Sequence, residues 1–165
     1  SERSPTPPLH GSANASTLIL TLTNNHANQG KDGRQFLFAW HDDAYDGKGR
    51  LDIDLIEKLK GRPLIPICPE VLGGLPIPRL PSEIQRGTAK VFNKNGFDVT
   101  EAFKQGAEAA LAIIKREGVT IACLKDGSPS CGFTKIYDGT FSSRKIKGMG
   151  ITCRLFVVNN ISICE

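Results

Sequence analysis

The chain has 165 residues, 39% hydrophobic and 23% charged, which is enough apolar material for one packed domain and too much for a wholly disordered chain. The formal net charge of +4 comes from 21 basic and 17 acidic residues with no dense basic stripe, so direct nucleic-acid binding is not expected, and the run from Arg144 to Lys147 reads as a solvated loop. No apolar run approaches the roughly 20 residues of a membrane helix, and residues 1–8, with three prolines, a Glu and an Arg, lack the apolar centre of a secretion signal.

Residues 1–16 are rich in Ser, Pro, Asn and Gly and predict a flexible tail ahead of a domain over 17–165. The first residue is not Met, which suits a processed or partial product. Thr17 to Thr23 is a β-branched apolar run and predicts a strand. A polar loop follows from Asn24 to Arg34, then a second strand at Gln35 to Trp40 and a turn-rich loop at Tyr45 to Arg50. Leu51, Leu55, Ile56 and Leu59 share one helical face, and Gly61 suits the stop. Leu64 to Ile67 predicts a short buried strand that runs into Cys68. Residues 68–88 hold so many prolines and glycines that a long irregular loop is expected.

The strongest periodicity predicts a helix from Val99 to Glu117. Phe103, Ala107, Ala110, Leu111 and Ile114 form its apolar stripe, Asp98 and Glu101 suit a capping box, and Gly118 suits the end. Val119 to Leu124 predicts a strand, Lys125 to about Gly150 a Gly- and Ser-rich loop, Ile151 to Val158 a helix, and Ile161 to Cys164 a last strand. Strands alternating with helices predict an α/β fold: a small Rossmann-like parallel sheet with flanking helices in a single domain. Ligands in such sheets bind beyond the carboxyl ends of the strands. Cys68 and Cys131 each follow a predicted strand, so one crevice can hold both although 63 positions separate them.

Two clusters carry chemistry: Cys68-Pro69-Glu70, and Ser128-Pro129-Ser130-Cys131-Gly132. Each sets a thiol beside a proline and near a carboxylate or hydroxyls. A thiolate is a soft ligand for zinc, copper(I) or iron–sulfur clusters. The bland readings are buried thiols at strand ends, a surface ion pair for Glu70 and a turn hydroxyl for Ser128. Five cysteines are too few for a disulfide scaffold and read as reduced thiols, ligands or core groups. Cys123, Cys153 and Cys164 fall inside predicted elements, and Cys123 and Cys164, in strands of the expected sheet, suit core packing. His10 and His26 carry no spacing signal.

The segments Ile67 to Arg79, Asn93 to Leu111, Leu124 to Gly132 and Ile136 to Phe141, in that order, resemble the 2-thiouracil desulfurase-like family from about Tyr45 onward. The resemblance implies a cytoplasmic, iron–sulfur-dependent desulfidase that removes sulfur from a thiolated pyrimidine such as 2-thiouracil, its partner being that small-molecule thiobase. It implies a [4Fe–4S] cluster on three cysteines with the fourth iron open. Cys68 matches the second ligand and Cys131 the third. Glu70 and Ser128 match the motifs that supply acid–base and substrate-contact groups.

The family's first cysteine falls a few residues before Tyr45-Asp46-Gly47, and here Phe36 to Ala44 holds none. An ungapped count puts Leu37 at that place. Three explanations stay open: His41 or Asp42 substitutes as ligand, the cluster is lost in a degenerate homologue, or the first 44 residues are a divergent or misjoined N-terminus. Other readings of the chain are a non-catalytic module that binds a nucleobase-like small molecule, and a zinc-stabilised interaction domain on Cys68 and Cys131.

Overall fold

A computed structural model of the chain describes residues 35–38 and 64–164. The expected tail, the Thr17 to Thr23 strand, the loop before Gln35, the Tyr45 to Arg50 loop, the helix bearing Leu51 to Leu59, and His10, His26, His41 and Asp42 lie outside these residues.

The central sheet is built from β1 (Gln35–Phe38), β2 (Leu64–Pro66), β5 (Val119–Cys123) and β8 (Ser162–Cys164), all parallel, in the order β2-β1-β5-β8. This is the parallel α/β arrangement expected from alternating strand and helix signals. The chain leaves β1 for β2 on one side, and β5 later adds on the other. The order therefore reverses at β1, which is where ligand crevices open in such sheets. Leu37 sits mid-sheet in β1, its backbone in register with Ile65 of β2 and Ala122 of β5.

Helix α2 (Thr100–Arg116) matches the strongest periodic signal and buries Phe103, Ala107, Ala110 and Ile114, with Leu111 half-buried. Its start differs from the expected capping box. Val99 is the N-cap residue and makes no side-chain cap bond, while Asp98 Oδ1 accepts the Thr100 N–H at 2.9 Å and Glu101 turns to Gln105. Gly118, with φ +67, follows the C-cap, where a side chain would be strained.

Two stretches expected to be irregular hold short elements. The segment after Cys68 forms α1 (Pro69–Leu72) and the hairpin of β3 (Ser82–Ile84) with β4 (Val91–Asn93). The Gly- and Ser-rich segment forms a second hairpin, β6 (Lys135–Tyr137) with β7 (Lys145–Lys147), before α3 (Ile151–Val158). Elements of three or four residues lack the length for a periodic signature, and tertiary packing holds them.

Two cores result. Ala110, Ile114, Val119, Ala122, Leu124 and Phe156 join the sheet to α2 and α3. Ile84, Val91, Phe103 and Ile136 join both hairpins to the first half of α2. Helix α1 lies close on α2. A Cβ on Gly106 would collide with the Pro69 carbonyl, and one on Gly73 with the Ala102 carbonyl. The glycines thus let the turn carrying Cys68 and Glu70 seat directly on the helix.

Cys123 and Cys164, expected as separate reduced core thiols, are instead joined as a disulfide. They are register partners on adjacent parallel strands with Cα atoms 4.7 Å apart, within the span a disulfide bridges. Cys153 is fully buried, and burial raises its thiol to about 11, so it is a neutral core group.

Phe103→Ala is expected to destabilise the fold by about 3–5 kcal/mol, from lost burial and the cavity left in the second core. Gly106→Ala is expected to destabilise by about 1–3 kcal/mol although Ala favours helices, because α1 must lift off α2. Urea denaturation of each variant measures both.

Candidate functional site

Pro66 ends β2, and Ile67 leads into Cys68, which stands in extended conformation (φ −113, ψ 105) as the N-cap residue of α1 with proline at the first helical position. The carboxylate two residues on is thereby turned inward. Glu70 is buried, and its Oε2 accepts from Arg79 Nε at 2.6 Å; the side chains are 4% (Arg79) and 11% (Glu70) exposed. Arg79 Nη2 also reaches Cys68 Sγ at 3.8 Å. One guanidinium therefore ties the thiol to the carboxylate. Arg79 lies inside the resembling segment, yet its pairing has no local signal: it acts nine residues from Glu70, across a loop of prolines and glycines.

The second cluster follows β5. Asp126 clamps this loop: Oδ1 accepts the backbone N–H groups of Phe133, Thr134 and Lys135 at 2.9 to 3.1 Å, and Thr134 Oγ1 bonds Oδ2. Burial acts to raise the Asp126 carboxyl, but the hydrogen bonds from Thr134, Lys135 and Phe133 outweigh it and hold the carboxyl well below the usual range. Helix α3 holds the loop from the other side. Its N-cap is Gly150, and its first N–H groups find loop carbonyls: Ile151 donates to Pro129, and Thr152 and Cys153 to Ser130. Ser130 Oγ and Thr152 Oγ1, both buried, bond at 2.8 Å.

Ser128 holds its own turn and also reaches the other motif. Its Oγ accepts the N–H groups of Ser130 (3.0 Å) and Cys131 (3.1 Å), as a turn hydroxyl does. The same hydroxyl donates to Glu70 Oε1 at 3.4 Å across 58 positions of sequence. Cys131 is buried. Burial pushes its thiol up, and the nearby charges of Glu70 and Cys68 push the same way. The two expected cysteines thus lie within electrostatic reach of one another, with Glu70 and Ser128 bonded between their motifs.

A cleft of about 500 Å³ opens here. Its walls include Glu70 and Arg79, the β3 residues Ser82 and Glu83, Ser128 from the clamped loop, and Tyr137 and Phe141 from the second hairpin. Among the described residues neither Cys68 nor Cys131 belongs to the wall. Cys68 meets it through Arg79, and Cys131 through the Ser128 hydroxyl. Cys68, Cys131 and Cys153 take no part in the disulfide, and no group of three metal-binding side chains occurs among the described residues.

The solved structure of the [4Fe–4S]-dependent thiouracil desulfidase TudS is similar to this chain at TM-score 0.69 and 36% identity, covering 79% of this chain and 89% of that one. The uncharacterized protein YbbK of Bacillus subtilis (strain 168) is 46% identical over 96 residues, which are 53% of this chain and 64% of YbbK. The chain therefore spans 64% of the length of that curated relative. The sequence pattern of the 2-thiouracil desulfurase family matches residues 41–165, beginning four positions before Tyr45 and after β1. With the pattern running through both cysteine clusters and three of the four strands of the central sheet, the chain belongs to the 2-thiouracil desulfurase family.

Proposed function

We propose that the chain is a cytoplasmic desulfidase that replaces the sulfur of a thiolated pyrimidine such as 2-thiouracil with oxygen. The observation that carries the reading is the buried link Arg79–Glu70–Ser128, which joins the two cysteine motifs at the wall of one cleft. Family membership and the likeness to a thiouracil desulfidase support it.

The donor set suits an iron–sulfur cluster. Cys68 and Cys131 are soft ligands within mutual electrostatic reach, and the buried Cys131 must give up its proton on binding metal. They would hold two irons of a [4Fe–4S] cluster, and a third ligand would come from outside the described residues. The sheet order supports a site for it: β1 runs between β2 and β5, so its carboxyl end lies between the strands leading to Cys68 and Cys131. When bound, the cluster would supply an open, sulfur-seeking Lewis acid.

The chain's own residues handle the base and the protons. The net exchange consumes one water and releases hydrogen sulfide. Glu70 Oε2 is taken by Arg79, which leaves Oε1 as the face that accepts a proton from water and returns one to the leaving sulfur. Ser128 Oγ takes two backbone N–H groups as acceptor, so its own hydrogen is directed toward Glu70 Oε1 or toward an edge of the base. Burial of the ion pair fixes these atoms without help from bulk water.

Anaerobic reconstitution with iron and sulfide, read as iron per chain and visible absorbance, tests the cofactor. With no cysteine before Tyr45, the chain as it stands is expected to hold fewer than about four irons and to lose them on gel filtration. Cysteine at Leu37, Ala39, Trp40 or His41, tried in turn, is expected to raise iron per chain and 2-thiouracil turnover. If the unmodified chain already binds about four irons, loss on His41→Ala identifies the imidazole as the substitute. Zinc retained in every variant, with no iron taken up, favours the interaction-domain reading instead.

Glu70→Gln in an iron-loaded form is expected to lower turnover about 10²- to 10⁴-fold. It is also expected to destabilise the chain by about 3–5 kcal/mol, because Arg79 stays buried without its counter-charge. Steady-state kinetics with uracil as the measured product, together with a thermal melt, separates the two effects.

A further inference from the structure

The segment Ile136 to Phe141 takes no part in the Glu70–Ser128 link, yet Tyr137 and Phe141 wall the same cleft. Phe141 adopts φ +56, a left-handed conformation that a bulky side chain rarely takes. It is half-buried and belongs to neither described core. A ring held in a strained backbone, outside the core and at a cleft wall, needs a reason other than packing.

What holds it there is a buried carboxylate. Glu83 on β3 is 7% exposed, and its Oε2 accepts the N–H of Gly139 at 2.9 Å and of Phe141 at 3.0 Å. Among the described residues no cation pairs with Glu83, so its charge is met by these backbone donors. Gly139, φ +86, passes so near β3 that a Cβ would come within 2.7 Å of the Ile84 carbonyl. Asp138, also buried, closes the turn by accepting Thr140 N at 3.1 Å and facing Arg144 at 3.8 Å. The loop is thus fastened to β3 at the points that set the Phe141 backbone.

We propose that Phe141 is the face on which the planar thiolated base stacks, and that Glu83 is the positioning residue that keeps it there. The inference rests on the thiobase reading of the cleft. A pyrimidine offers polar edges and two apolar faces. Glu70 and Ser128 address an edge, and an aromatic ring answers a face without choosing among pyrimidines. Such a contact is made equally before and during the reaction, so its loss raises KM and leaves kcat in place.

Uracil, which cannot react, serves as the equilibrium probe by calorimetry on the full chain, and 2-thiouracil as the kinetic one on the iron-loaded chain. Phe141→Ala is expected to weaken uracil binding about tenfold or more and to raise KM for 2-thiouracil with kcat kept. Phe141→Tyr is expected to retain affinity, and Phe141→Leu, which keeps bulk without a π face, to lose it. Glu83→Ala is expected to match Phe141→Ala, and the double variant to be no weaker than either, since both remove one contact. Glu83→Gln, whose amide oxygen can still accept both N–H groups, is expected to fold and to bind as the parent does. Unchanged binding by Phe141→Ala or by Phe141→Leu overturns the stacking role, and additive losses in the double variant overturn the positioning role. A folded parent chain that binds neither uracil nor 2-thiouracil overturns the thiobase reading itself and the inference with it.

Discussion

A carboxylate and a guanidinium withdrawn from water together, Glu70 and Arg79 at 2.6 Å, set the terms for everything around them. Each ion loses several kcal/mol of hydration on burial, so the pair holds only if its geometry is kept from all sides. The chain from Gly73 to Pro81 must loop back to bring Arg79 to Glu70. Helix α1 must sit flush on α2, which the facing Gly73 and Gly106 permit. The loop after β5 must present Ser128 to the second carboxylate oxygen, which the Asp126 clamp and the first turn of α3 enforce. The pair is thus less a source of stability than a specification of where three segments meet.

The parts legible in the sequence are those whose signal is local and long enough to repeat. The stripe of α2 spans about three turns, and the strands after Gly118 and before Cys68 are apolar runs bounded by breakers. Cys68 and Cys131 could be assigned to one end of a sheet because both follow strands. The illegible parts depend on partners far away in sequence. Helix α1 and the hairpin β6–β7 occupy stretches whose proline and glycine content argues for irregular chain, and they form because packing on α2 and on β3 compensates. The start of α2 shows the same limit on a smaller scale: Asp98 and Glu101 had the spacing of a reciprocal cap, but the helix begins one residue later and only the aspartate bonds the backbone. Arg79, Glu83 and Thr152 are buried or pair with buried groups, and no periodicity marks a polar residue for the interior.

The cleft divides its labour by hairpin and loop. The Cys-Pro-Glu turn and the Ser-Pro-Ser-Cys loop converge from the two sides of β1, the strand at which the sheet order reverses. The two antiparallel hairpins sit on the first half of α2 and supply the remaining wall. Glu70 and Ser128, the proposed proton handlers, thus come from segments that follow strands of the parallel sheet, and the hairpins supply the wall opposite them.

Strand β1 joins the sheet through main-chain hydrogen bonds to β2 and β5, and main-chain pairing places few demands on which side chains it carries. The family pattern begins at residue 41, so β1 lies ahead of the matched region. Completing the sheet and supplying a ligand are therefore separate demands on this part of the chain. A segment that paired in the same register would keep these main-chain bonds without fixing any side chain beyond the strand's end. The pairing of β1 is thus a statement about the backbone alone and is no guide to metal content.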